Sequence, residues 1–225
     1  MLIFGFVLLM LAILTFFFYA SYSIGSGVYL KAYCRKKTSE KVVTLTFDDG
    51  PDSIQTPKVL DILKARNISA TFFCIGHKLT GNEDIIKRIE AEGHTIGNHS
   101  YSHSGVFPLY SSAKIKQDLQ HCQQLLYSIT GKETKWFRPP FGVTNPPIAK
   151  AVKELGYHTI GWNIRSLDTQ GMAHQKVLGR IRKRLCPGSI ILLHDRMPDS
   201  DILLLKVLDL LDEEGYRIVG LNEII

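Results

Sequence analysis

The feature that most restricts this chain is a repeated alternation that begins at Val42 and runs to the C-terminus. Short runs rich in β-branched and aromatic residues are each followed by a longer amphipathic stretch. The spacing predicts strands over residues 42–47 (VVTLTF), 70–75 (ATFFCI), 94–98 (HTIGN), 136–139 (WFRP), 157–162 (YHTIGW), 189–194 (SIILLH) and 216–221 (YRIVGL). Between them, residues 57–67, 83–93, 112–131, 146–156 and 201–215 carry helical periodicity. Several of these helices stop at a glycine (Gly93, Gly131, Gly156, Gly215), the residue preferred where a helix ends in a left-handed turn. Strand and helix in strict alternation build a parallel sheet covered by helices, and about seven such units favour closing the sheet over leaving it open. The expected fold is α/β, a distorted (β/α) barrel. Barrels of this kind place their chemistry just past the carboxyl ends of the strands.

The N-terminus has a different character. The first thirty residues contain no Asp, Glu, Lys or Arg, and residues 1–20 (MLIFGFVLLMLAILTFFFYA) are almost wholly apolar, which matches the ~20 residues that span a bilayer. A cleaved signal peptide is the competing reading. Such peptides usually have a basic leading segment and a shorter apolar stretch, and this sequence has neither. The expected organisation is a transmembrane anchor over 1–24, a linker over 25–40 and one catalytic domain over 41–225. Of the net charge of +6, Lys31, Arg35, Lys36 and Lys37 contribute a cluster directly after the apolar segment. That cluster suits anionic lipid headgroups and gives no indication of nucleic acid. By the positive-inside tendency alone it would leave the domain in the cytoplasm. The four cysteines are scattered without a C-x-x-C pair, so no zinc knuckle or dithiol motif is supported.

Five polar clusters fall just past five separate predicted strands. The first strand ends in Asp48-Asp49-Gly50-Pro51. Two adjacent acids can address one site only if the chain bends there, and they share it comfortably only beside a cation. The third strand leads into His99-Ser100-Tyr101-Ser102-His103, two histidines at a spacing that can chelate a divalent metal. The fourth carries Arg138-Pro139-Pro140-Phe141-Gly142, whose prolines and glycine fix an unusual backbone path. Asp168 follows the fifth strand, and the sixth ends in Leu192-Leu193-His194-Asp195. Each cluster alone has an ordinary reading as a solvated turn, a surface pair or a structural histidine. Five in succession at strand ends point to one active site.

With these residues in hand, the chain resembles the polysaccharide deacetylases of carbohydrate esterase family four, the NodB-homology domains. T-F-D-D-G-P, H-S-x-x-H, R-P-P-F-G and L-L-H occur here in the family's order, from about Val42 to the C-terminus. The resemblance implies a distorted (β/α) barrel with a catalytic divalent metal, commonly zinc, with cobalt, manganese or nickel as substitutes. It implies Asp49, His99 and His103 as metal ligands, Asp48 as general base, and Arg138 as the residue that orients that base. It also implies Phe141 as the backbone donor to the oxyanion, and His194 as general acid supported by Asp168. The implied reaction is removal of N-acetyl groups from an N-acetylglucosamine-containing polysaccharide. Two positions depart from the family pattern: Arg165 stands where an acid is usual and Thr169 where an aromatic residue is usual, which bears on substrate preference. Two other functions fit the same residues. One is deacylation of a lipid-linked aminosugar; the other is carbohydrate binding with little catalysis. Cell-wall enzymes of this family work outside the cytoplasm, so the substrate favours an extracytoplasmic domain.

Overall fold

In the computed structural model, which describes residues 2–225, a nine-stranded sheet curls into a distorted, incompletely closed (β/α) barrel. The strands are β1 (Ala32–Tyr33), β2 (Val42–Asp48), β3 (Thr71–Cys74), β4 (Thr95–Asn98), β5 (Trp136–Phe137), β6 (His158–Ile160), β7 (Ile164–Arg165), β8 (Ser189–His194) and β9 (Arg217–Ile218). Their order is β1-β6-β5-β4-β3-β2-β8-β7, with β9 added beside the start of β2, and every ladder is parallel. The helices are α1 (Leu2–Tyr22), α2 (Gln55–Ala65), α3 (Glu83–Ala91), α4 (Ser112–Thr130), α5 (Pro146–Glu154), α6 (His174–Arg184), α7 (Ser200–Glu213) and α8 (Leu221–Ile224).

All seven predicted strands are present. The two central ones, β2 and β8, pair over six residues and read as continuous apolar runs, as strands covered on both faces must. The shorter β1 and β7 were not legible, because a two-residue ladder carries no periodicity of its own. Helix α6 was also missed. Its sequence HQKVLGRIRKR is strongly basic and buries only Val177 and Ile181. Gly93, Gly131, Gly156 and Gly215 close their helices with φ between 69° and 80°, as the stop signals required.

Residues in the segment read as a linker join the sheet: Ala32 and Tyr33 pair with Thr159 and Ile160, and Lys36 donates from its backbone N–H to the Gly188 carbonyl (2.9 Å). The core lies between the sheet and its helices, with Leu45, Phe47, Phe72, Leu63, Ile89, Ile191 and Val207 at its centre, all at most 1% exposed. By contrast, α1 is apolar and long enough to cross a membrane, and its side chains from Ile3 to Tyr19 are exposed.

Candidate active site

The two acids at the end of β2 reach the same space by a backbone device. Asp48 is the last residue of the strand, and Asp49 takes φ 71°, turning the chain sharply at the acid itself, one residue earlier than Gly50-Pro51. The Gly50-Pro51 peptide is cis. Gly50 has no alternative here, since a Cβ at that position would lie 2.4 Å from the Asp195 carboxylate. Asp48 and Asp49 are 4% and 9% exposed, so water screens neither.

The histidines come from the β4–α4 connection. Ser100 (φ 67°) and His103 (φ 42°) both sit in the left-handed region, and side-chain acceptors hold them there. Asn98 Oδ1 accepts from the Ser100 N–H (2.8 Å), Ser100 Oγ from the His103 N–H (3.0 Å), and the Asp118 carboxylate from the N–H groups of Tyr101 (2.7 Å) and Ser102 (3.1 Å). His99 Nε2 then lies 3.4 Å, and His103 Nε2 3.2 Å, from Asp49 Oδ1.

These three side chains form a group able to hold a metal ion, with one ligand atom from each, all within 4.8 Å of one another. The separations fit such an ion: bonds of about 2.0–2.2 Å at tetrahedral angles give ligand–ligand edges of roughly 3.3–3.6 Å. His99 donates Nδ1–H to the Arg138 carbonyl (2.8 Å), which turns the Nε2 lone pair toward the site. Burial and the neighbouring His99 bring His103 down to about 4, so it is neutral at pH 7, the form that ligates. Burial alone would raise the Asp49 carboxyl, but the histidines around it, His99 first, donate to it and attract it when they are protonated and no metal is bound, which holds it well below the usual range.

Arg138 is wholly buried. Its guanidinium donates to Asp48 Oδ1 (2.7 Å), Thr46 Oγ1 (2.8 Å), the Ile160 carbonyl (3.0 Å) and the Gly161 carbonyl (2.8 Å), and stacks 4.2 Å from the Phe73 ring centroid. One carboxylate oxygen of Asp48 is thereby fixed, while the other faces His99 Nε2 at 3.8 Å. Phe141 follows in the R-P-P-F-G loop with φ 61°, its half-exposed ring 4.8 Å from that of His103. Opposite, His194 Nδ1 meets Asp168 Oδ1 at 2.8 Å, and Asp168 Oδ2 accepts from the His194 backbone N–H at 2.8 Å. Burial disfavours a charged His194, but Asp168, with Asp48 and Asp49 behind it, outweighs burial and raises its pKa.

The structure thus brings all eight residues singled out in the sequence to one mouth at the carboxyl ends of the strands. Three others belong to it that sequence reasoning gave no role. Arg196 donates Nε–H to Asp49 Oδ2 (2.9 Å); a cation directly after the strand-ending His194-Asp195 was the available signal. Asp195 is buried and bonded to Thr56 Oγ1 (2.6 Å). Asp118 lies mid-helix in α4, where nothing in the sequence separates it from a solvated acid. Arg165 stands over Trp162, its guanidinium 6.0 Å from the ring centroid.

A curled parallel barrel whose strand ends converge on paired carboxylates, histidines and a buried arginine is the frame of a hydrolase. The model of the family "Polysaccharide deacetylase" matches residues 35–160. A peptidoglycan-N-acetylglucosamine deacetylase of Bacillus cereus is 35% identical over 196 residues, covering 83% of this chain and 89% of that protein. The peptidoglycan-N-acetylmuramic acid deacetylase PdaA of Bacillus subtilis is 34% identical, covering 86% and 74%. Among solved structures, a peptidoglycan N-acetylglucosamine deacetylase superposes with a TM-score of 0.80 at 31% identity, covering 85% of this chain and 91% of that one. The chain belongs to the polysaccharide deacetylase family, carbohydrate esterase family four, and is a polysaccharide deacetylase.

Proposed function

We propose that the chain hydrolyses the N-acetyl amide of N-acetylglucosamine-containing peptidoglycan or a chitin-like glycan, using a divalent cation, zinc by preference, held by Asp49, His99 and His103. The single observation that carries this is the convergence of those three side chains, with Asp49 Oδ1 lying 3.4 Å from His99 Nε2 and 3.2 Å from His103 Nε2. When bound, the cation supplies Lewis acidity and a water of lowered pKa. Asp48, held by Arg138, takes the proton of the attacking water. The Phe141 N–H donates to the developing oxyanion, a contact typically worth about 10²–10³ in rate. His194 donates Nδ1–H to Asp168, whose negative charge favours the imidazolium, and the second proton of that cation, on Nε2, is the one handed to the departing sugar amine. An amine leaves poorly unless protonated, which is why a histidine of raised pKa stands there.

In this reading α1 anchors the chain as a single-pass membrane protein, with the catalytic domain (41–225) on the extracytoplasmic side where such glycans lie. The test is product analysis of the purified protein on a panel of acetylated saccharides, with metal content measured in parallel. Asp48→Asn should keep the metal and lose roughly 10²–10⁴ in turnover. Near-normal turnover in that variant rejects the base assignment, and full activity without stoichiometric metal rejects the site.

A further inference from the structure

The N-terminal helix does not simply tether the domain; its end is built into it. From Ile3 to Tyr19 every side chain of α1 is exposed, and at Ala20 exposure drops to 0%. The Ser21 carbonyl accepts the Thr144 backbone N–H (2.9 Å), and the Ala20 carbonyl accepts the Thr144 hydroxyl (3.2 Å). Ile24, 6% exposed, lies so close over Gly161 that a Cβ there would meet its Cγ1 at 2.9 Å. These contacts fall on working parts of the site. Thr144 is three residues from Phe141, and Ile160 and Gly161 supply the two carbonyls that orient Arg138.

The lengths leave no slack. The uncovered segment from residue 3 to 19 is about 26 Å long at 1.5 Å per residue, close to the ~30 Å of a bilayer's hydrocarbon core. With that segment in the membrane, the docked turn lies at the headgroups, and Thr144 with it. Three residues of chain reach at most about 11 Å, so Phe141, whose ring touches His103, stays within that distance of Thr144. The neighbouring surface suits a bilayer. Asn145 Nδ2 ties the two rim loops together by donating to the Pro108 carbonyl (2.6 Å). The rim bears exposed Val106 (52%), Leu109 (84%) and Phe141 (47%), and Lys114 lies over the Tyr110 ring at 3.7 Å.

We propose that α1 is retained as an uncleaved anchor whose last turn, Ala20–Ile24, is part of the catalytic domain, and that this docking holds the mouth of the site against the bilayer, so that the N-acetylated glycan it acts on is one carried on a lipid at the membrane surface. The proposal rests on the deacetylase reading above and narrows its substrate class.

The experiment uses the full chain in phospholipid vesicles, with a chitooligosaccharide supplied either free or coupled to an embedded lipid. The unaltered protein should deacetylate the lipid-coupled saccharide at least about tenfold faster at equal bulk concentration, as expected of an effectively intramolecular encounter. A 20-residue Gly/Ser insert between Tyr19 and Ala20 keeps the docked turn with the domain but frees it by ~25 Å. It should leave the free saccharide's rate unchanged and reduce the membrane advantage severalfold. In a second variant, Ala20→Glu, undocking should speed hydrogen exchange at the Thr144 amide. The proposal is overturned if the mature chain begins at or beyond Ser21 by intact mass, if the free and lipid-coupled saccharides react equally, or if the insert leaves the advantage intact. Failure of the unaltered protein to deacetylate either saccharide would strike at the activity and its lipid-bound substrate, whereas the intact mass and the Thr144 exchange would still judge the docking.

Discussion

Replacing Arg138 by methionine tests how the buried pair at the base of the site is held together. Methionine keeps much of the stem's volume and deletes four hydrogen bonds: to Asp48, Thr46 and the carbonyls of Ile160 and Gly161. Thr46 keeps a partner, since its hydroxyl still donates to the Ile191 carbonyl (2.8 Å). Asp48 does not: at 4% exposed it is left as a buried carboxylate without its countercharge. Removing one member of such a pair typically costs about 3–5 kcal/mol. For a protein of this size each kcal/mol lowers the melting temperature by roughly 2–4 °C, so Arg138→Met should melt about 6–20 °C below the parent. The reasoning makes a sharper claim about the double variant. Adding Asp48→Asn removes the stranded charge, so the pair of substitutions should be more stable than Arg138→Met alone, with a coupling of about 1–3 kcal/mol. Denaturant unfolding of the detergent-solubilised chain, followed by its two tryptophans after chelation so that metal binding adds no linkage, measures all four corners of the cycle. A single variant within about 1 kcal/mol of the parent, or strictly additive effects, would refute the account.

Other expectations are briefer. His103→Ala should abolish stoichiometric metal and activity together, read by metal analysis beside acetate release. Asp118→Ala should weaken metal affinity by about 10–100-fold without touching a ligand, because it frees the Tyr101 and Ser102 amides that shape the loop; a competition titration measures this. Burial pushes the Asp195 carboxyl up to about 6, above its value in the unfolded chain. The folded state therefore binds the extra proton, and this stabilisation is fully present below about pH 4 and lost as pH rises through 6. Asp195→Asn should accordingly raise stability at pH 7 by roughly 1–3 kcal/mol and flatten the dependence between pH 4 and 7; unchanged pH curves would contradict it. The raised His194 works in the same sense: its bond to Asp168 stabilises the fold below the ordinary histidine range and is lost as pH climbs through its folded pKa. Asp168→Asn should move the alkaline limb of the rate profile to lower pH.

What the sequence determined by itself is what short-range pattern can encode. The alternation of apolar runs and amphipathic stretches specified seven strands and five helices, glycine stops marked the ends of four of those helices, and parallel strands put Asp48, His99, Arg138, Asp168 and His194 at one rim. Residue types there pointed to the metal and acid–base chemistry proposed above, because few other uses gather acids, imidazoles and an arginine at successive strand ends. The tertiary structure decided what depends on partners distant in the chain. Strands β1 and β7 exist only because a sheet edge pairs with them, and α6 only because two apolar residues find a core. Asp49 reaches the histidines through a left-handed turn that Asp195 crowds from a strand end well over a hundred residues away in sequence, and Arg138 is buried because four acceptors from two strand ends, β2 and β6, close around it. The docking of Ala20–Ile24 was invisible for the same reason: hydropathy reports that a helix is apolar, and only the folded barrel supplies the surface that covers its last turn.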